Sequence, residues 1–252
     1  MLKMKSCFVE HLGKGNLSFG KIRRTCTVNT SFRFQDQVMP VKSTGKHLFR
    51  NPMLFGTKRG VNGNPPGSIQ IFDEQETLPN LDINRIRQTI SDIRQVIGYE
   101  TYDVSLVLCE DEEMQELNKD TRGVDAPTDI LSFPFQEEII EPGILAEPSF
   151  DIPDYYNLGD MIIDIPYIIR RCKEDFAENS DTSDFNCDIV ERGVSGAMST
   201  VYDPEARIHM LLVHGMLHLV GYDHIEDDDY NLMVSQEELI LEQIKQLQEK
   251  KN

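Results

Sequence analysis

The run His214-Gly215-Met216-Leu217-His218-Leu219-Val220-Gly221-Tyr222-Asp223-His224 decides how this chain is read. On an α-helix, residues four apart sit about 40° apart and one turn along, so His214 and His218 project side by side. Gly221 can take a positive φ without penalty, so it ends the helix and turns the chain back. His224 then approaches the same point from another direction. Three imidazoles meeting at one point leave a fourth tetrahedral position open, which a catalytic zinc needs for its water. The bland alternative is two ordinary helix histidines and a coincidence. Three of the chain's 6 histidines at this spacing favour one bound metal ion. Tetrahedral nitrogen ligation favours zinc over copper or nickel.

The pattern, H-x-x-x-H-x-x-G-x-x-H, is the metzincin protease signature with one change: Gly215 stands where those enzymes carry glutamate. That glutamate takes a proton from the metal-activated water and passes it to the leaving amine. Glycine cannot, so a classical protease mechanism is disfavoured, and the site remains open to a reaction with an easier proton inventory, such as phosphodiester cleavage.

Working outward, Glu205–Val220 reads as the helix that carries the first two histidines, with Ile208, Leu211, Leu212 and Leu219 on one flank. Asp227–Gln248 reads as a last helix with Ile240, Ile244 and Leu247 on its stripe. Upstream, Asp82 caps a helix whose Ile83, Ile86, Ile90, Ile93 and Ile97 recur at spacings of three and four, and Gly98 closes it. Ser68–Phe72, Asp103–Leu108, Thr128–Phe133 and Gly159–Ile163 are strand candidates, Glu110–Asn118 a short helix, and 164–175 a helix starting near Pro166. The acidic, Pro-containing 136–157 reads as a long surface loop, and 176–203 as an acidic insertion without a period. Early alternation and a helical end place the fold in the α+β or mixed α/β class.

The chain has 252 residues and a net charge of −18 that is unevenly spread. Residues 1–70 hold twelve Lys/Arg against Glu10 and Asp36 alone, so the remainder carries −28. Such a change of sign suggests two segments with different jobs. Residues 1–67 are basic, acid-poor and rich in Ser, Thr, Gly and Asn, and end in the breaker cluster Asn62-Gly63-Asn64-Pro65-Pro66-Gly67. They lack the apolar core of a secretory signal, and their composition is that of a transit peptide for chloroplast or mitochondrion; a disordered arm touching RNA is the alternative. No apolar run approaches the roughly 20 residues of a membrane span. Cys7, Cys26, Cys109, Cys172 and Cys187 are an odd set without paired spacing, read as free thiols in a reducing compartment.

At these residues the chain resembles the YbeY family of single-strand-specific endoribonucleases. The run HGMLHLVGYDH (214–224) matches the family's histidine motif. LNKDTRGVDAPTDILSFPF (117–135) and Leu158-Gly159-Asp160-Met161-Ile162 match two further blocks, and SIQIFDEQ (68–75) and SQEELI (235–240) also fit. The resemblance spans roughly 68–248, interrupted by 136–157 and 176–203. It implies a small mixed sheet of about four strands flanked by helices, with the metal helix at the cleft. It further implies one zinc held by His214, His218 and His224, and a functional arginine at Arg122. The implied substrate is rRNA, especially the 3′ end of small-subunit rRNA, with ribosomal small-subunit proteins as partners.

On the resemblance Arg122 would grip phosphate oxygens; from Thr121-Arg122-Gly123 alone it reads as a turn residue in surface ion pairs. Asp223, beside Tyr222, either orients a zinc histidine or caps a turn. Ser132 and Thr128 read as structural. A −28 body repels RNA unless Lys119, Arg122, Arg170, Arg171 and Lys173 form a local basic channel, with Glu226-Asp227-Asp228-Asp229 and both acidic stretches held away from it, or unless the protein docks through a ribosomal protein. A metallohydrolase of peptides or small esters and a non-catalytic ribosome assembly factor with structural zinc are the competing functions.

Overall fold

A computed structural model describes residues 65–148, 152–180 and 195–251. The basic segment 1–67 lies almost wholly outside these residues, as do Cys7, Cys26 and Cys187. The chain runs β1 (Ile69–Asp73), α1 (Ile83–Ile97), β2 (Asp103–Cys109), α2 (Asp111–Arg122), β3 (Ile130–Pro134), β4 (Ile139–Glu141), β5 (Ile144–Leu145), a 3-10 turn at Pro153–Tyr155, β6 (Asn157–Asp164), α3 (Ile165–Ser180), α4 (Ser195–Met198), α5 (Pro204–Leu219) and α6 (Asp227–Lys251). The fold is α+β, with one mixed four-stranded sheet in the order β1-β2-β6-β3. β1, β2 and β6 run parallel, and β3 is antiparallel to β6.

α1 forms as its isoleucine spacing predicts. The Asp82 carboxylate accepts the Arg85 N–H and Gly98 caps the far end. Ile86, Ile90 and Ile93 are fully buried and Ile97 nearly so. At about 1.5–3 kcal/mol per buried isoleucine, this face alone outweighs the helix's weak intrinsic preference. It packs with Leu106 and Leu108 of β2, Met161 and Ile163 of β6, and the apolar faces of α5 and α6 into one large core. The opposite face of the sheet is covered by α2, where Met114 meets Cys109 and Leu131.

α5 starts at an Asp203 cap, whose carboxylate accepts the Ala206 N–H, with Pro204 in its first turn. It lies directly on β3. A Cβ at Gly215 would stand 2.6 Å from Ile130 Cδ1, 2.9 Å from Met161 Sδ and 3.1 Å from Ser132 Oγ. Glycine at 215 is thus what lets the histidine helix approach the sheet.

The stretch 136–157 is not the featureless loop expected. β4 and β5 form a small hairpin. Leu145 is fully buried, and the Tyr99 hydroxyl donates to the Gly143 carbonyl at 3.1 Å and accepts the Leu145 N–H at 3.0 Å. The hairpin also grips the end of α5: Gly143 N–H donates to the Val220 carbonyl at 2.9 Å. Ile139 covers Gly221, whose φ of +90° and close neighbours exclude a side chain. In 176–203, α3 continues to Ser180 and a short α4 follows, whereas 181–194 lies outside the described residues. The buried pair Arg207–Asp175, at 2.6 Å, ties α5 to α3, and Arg207 also donates to the Met198 and Val201 carbonyls. Cys109 and Cys172 are free thiols, both buried.

Candidate metal centre and its cleft

His214 and His218 occupy the last turns of α5, and His224 follows the bend at Gly221. The three rings come together: one nitrogen of each lies within 4.8 Å of the others. The Nε2 atoms of His214 and His218 are 3.1 Å apart. Ligands at zinc–nitrogen distances near 2.05 Å in a tetrahedron stand about 3.3 Å apart, so this spacing suits one shared cation.

The partner of the other ring nitrogen settles the tautomer of His218. His218 Nδ1 lies 3.0 Å from the Tyr222 carbonyl, which can only accept, so Nδ1 carries the proton and Nε2 keeps its lone pair. His214 Nδ1 lies 2.7 Å from Glu237 Oε1, on a side chain of α6 that is 6% exposed. With a proton on that Nδ1, two Nε2 lone pairs face each other across 3.1 Å. They repel unless a cation lies between them, and this is the observation that fits a metal to the site. Burial pushes His214 and His218 down to about 4, which keeps both rings neutral and able to ligate at neutral pH. Burial also pushes Glu237 up to about 8.

The histidines line a cavity of about 730 Å³. β3 contributes Ile130, Ser132 and Pro134, the approach to it Thr128 and Asp129, and α2 contributes Arg122. Arg122 is the last residue of α2, exposed, and in no hydrogen bond or ion pair with any described residue. Its charge reaches His214. No surface pair holds it among the described residues. Asp223 Oδ1 accepts the backbone N–H of His224 at 2.7 Å, which is the turn-capping alternative. The carboxylate behind a histidine is instead Glu237, which the sequence reading missed. Its signal was present: Glu237 falls four after Met233 and three before Ile240, on the buried stripe of α6. A charged residue on an apolar stripe needs a partner.

The expected basic channel is not formed. Arg170 pairs with both oxygens of Asp111, at 2.8 and 2.9 Å, and Lys119 with Asp125 at 2.7 Å. Lys173 lies beside Phe176 and Tyr202 in a separate apolar groove, and Arg171 lines a neighbouring cavity. Of the five, only Arg122 lines the histidine cavity. Asp227, Asp228 and Asp229 are not held apart from it in sequence: they form the first turn of α6 two residues after the cavity-lining Ile225, where they complement the helix dipole.

The sequence model of Endoribonuclease YbeY matches residues 69–186 and 190–245. The chain belongs to the YbeY family. The human Endoribonuclease YbeY is 28% identical over 179 residues, covering 70% of this chain and 88% of the human protein. The Endoribonuclease YbeY of Halalkalibacterium halodurans is 33% identical over 175 residues, covering 69% and 92%. That of Desulfitobacterium hafniense is 40% identical over 147 residues, covering 58% and 73%. A solution structure of a Thermotoga maritima protein is similar at a TM-score of 0.42 and 22% identity, covering 73% of this chain and 93% of that one. The YbeY match takes in the whole histidine run, Arg122 and Glu237. No helix among the described residues is long and apolar enough to cross a membrane.

Proposed function

We propose that this YbeY-family protein is a zinc-dependent, single-strand-specific endoribonuclease that matures the 3′ end of small-subunit rRNA. The observation that carries this reading is the trio His214, His218 and His224 converging in a cavity that also holds an unpaired guanidinium, Arg122. When bound, a zinc ion supplies Lewis acidity, bringing the pKa of a coordinated water from about 15.7 towards 7. His214, His218 and His224 would hold it. Glu237 and the Tyr222 carbonyl fix the first two rings from behind, as partners of metal-binding histidines do. Arg122 would take non-bridging phosphate oxygens through paired N–H donors and oppose the charge that builds in the transition state.

Among the described residues Arg122 is the one basic residue that lines the cavity, beside Asp129 and Asp223, so direct affinity for an RNA backbone rests on few contacts. Docking on small-subunit ribosomal proteins would supply the rest. Residues 1–67 serve as a transit segment into the chloroplast stroma or the mitochondrial matrix, a reading supported by their basic, acid-poor composition. Fusing them to a fluorescent protein shows whether they direct import.

The deciding experiment incubates the full chain with small-subunit rRNA precursor, with zinc and with chelator, and maps the 3′ ends. Cleavage should require metal. His218→Ala should lose zinc and cleavage together, whereas Arg122→Ala should keep zinc and lose rate. Full cleavage by His218→Ala, or a normal rate from Arg122→Ala, defeats the corresponding assignment.

A further inference from the structure

We infer that Asp129 is the proton-carrying catalytic residue of this cleft, supplying from β3's entry the carboxylate that the histidine helix cannot carry. The inference rests on the ribonuclease reading above and deepens it.

The Cβ direction at position 215 points at the sheet, into Ile130, Met161 and Ser132, so any side chain there makes those neighbours shift. A glutamate there would be driven into the sheet, not offered to a substrate. The same packing sets the entry to β3 against α5: Ile130 touches position 215, Asp129 directly precedes Ile130, and His214 directly precedes Gly215. Asp129 and His214 line the same cavity. The cavity lined by the metal-binding rings thus also carries the Arg122 guanidinium and, besides Asp223, the Asp129 carboxylate.

The Asp129 carboxylate is held but not consumed. Oδ1 accepts the Ile130 N–H at 2.8 Å and the Thr128 hydroxyl at 3.2 Å, which fixes the side chain. Oδ2 has no hydrogen-bond partner among the described residues. It is the oxygen available for chemistry.

The step balances. The attacking water loses one proton to solvent as its oxygen bonds to phosphorus. On the opposite apex the bond from phosphorus to the leaving ribose oxygen breaks with its electron pair, and that oxygen takes the proton carried on Asp129 Oδ2. Asp129 regains a proton from solvent before the next turnover. A general acid–base group of this kind contributes about 10²–10⁴-fold.

The test compares two substrates. A ribose oxygen needs that proton to leave; 4-nitrophenolate does not. Asp129→Asn should therefore lower kcat on single-stranded RNA by about 100-fold or more, with KM little changed. Its loss on bis(4-nitrophenyl) phosphate should be at least about tenfold smaller. Zinc affinity, measured by chelator competition without substrate, should stay near that of the parent, and melting curves confirm folding. Asp129→Glu, which keeps the carboxyl, should recover part of the RNA rate. Equal losses on the two phosphodiesters, or a loss of zinc, would overturn the role of Asp129 alone. A parent protein that cleaves neither phosphodiester with any divalent metal would overturn the ribonuclease reading and the role of Asp129 together.

Discussion

Replacing Gly215 by alanine adds one methyl group at the tightest contact between α5 and the sheet. That carbon would meet Ile130 Cδ1 at 2.6 Å and Met161 Sδ at 2.9 Å, both well inside ordinary contact distance. The alanine's own helical preference, worth about 1 kcal/mol over glycine, favours the variant. Overpacking of a filled core costs about 1–3 kcal/mol, and here Met161 is fully buried while Ile130 is nearly so, leaving little room to yield. The contact should win, with a net loss of about 1–2 kcal/mol, or roughly 2–8 °C in melting temperature for a domain of this size. Thermal melts followed by circular dichroism measure it. Ile130→Val removes the nearest methyl, so the double variant should be more stable than the sum of the single losses predicts, and a double-mutant cycle reads that coupling. A melting temperature for Gly215→Ala at or above that of the parent would refute the argument that packing dictates glycine here. Gly215→Glu, which restores the metzincin pattern, should cost more and gain no peptidase activity.

Glu237→Gln keeps the shape of the side chain behind His214 and replaces its carboxyl by an amide; zinc should bind about 10–100-fold more weakly, by chelator competition, and unchanged affinity would dismiss Glu237 as the orienting group. Tyr99→Phe removes the hydroxyl that accepts the Leu145 N–H and donates to the Gly143 carbonyl, so urea denaturation should show a loss of about 0.5–1.5 kcal/mol for each bond. Burial, with the Asp111 charge nearby, pushes Asp164 up to about 7, from about 3.9 in the unfolded chain. The folded state holds that proton more tightly, so this stabilisation is complete below about pH 4 and is lost as pH rises through about 7. Asp164→Asn can still accept the Tyr167 N–H, so its stability should fall less than the parent's between pH 5 and pH 8; parallel falls would contradict the shift.

The isoleucine stripe of α1 and the histidine run of α5 were legible because each is a local pattern: burial and ligation repeat at helical spacing within one segment. Glu237 was visible as an anomaly on the α6 stripe, but its partner His214 is 23 residues away and only the packing of α6 on α5 brings them together. Asp129 gave no signal beyond its type, since its meaning depends on β3 passing beneath Gly215. The β4–β5 hairpin was hidden for a related reason. Its strands are three and two residues long, and its anchors, Tyr99 and Val220, lie far off in sequence. The basic channel failed because lysines and arginines were grouped by charge alone; α3 and α2 turn Arg170 towards Asp111 and Lys119 towards Asp125.

The hairpin's grip on Val220 and Gly221 has a practical consequence for anyone trimming this protein. The acidic stretch around 136–147 looks expendable and invites deletion to make a less charged, more tractable variant. Cutting it would unlatch the bend that delivers His224, and the product would be a soluble protein with a two-pronged site.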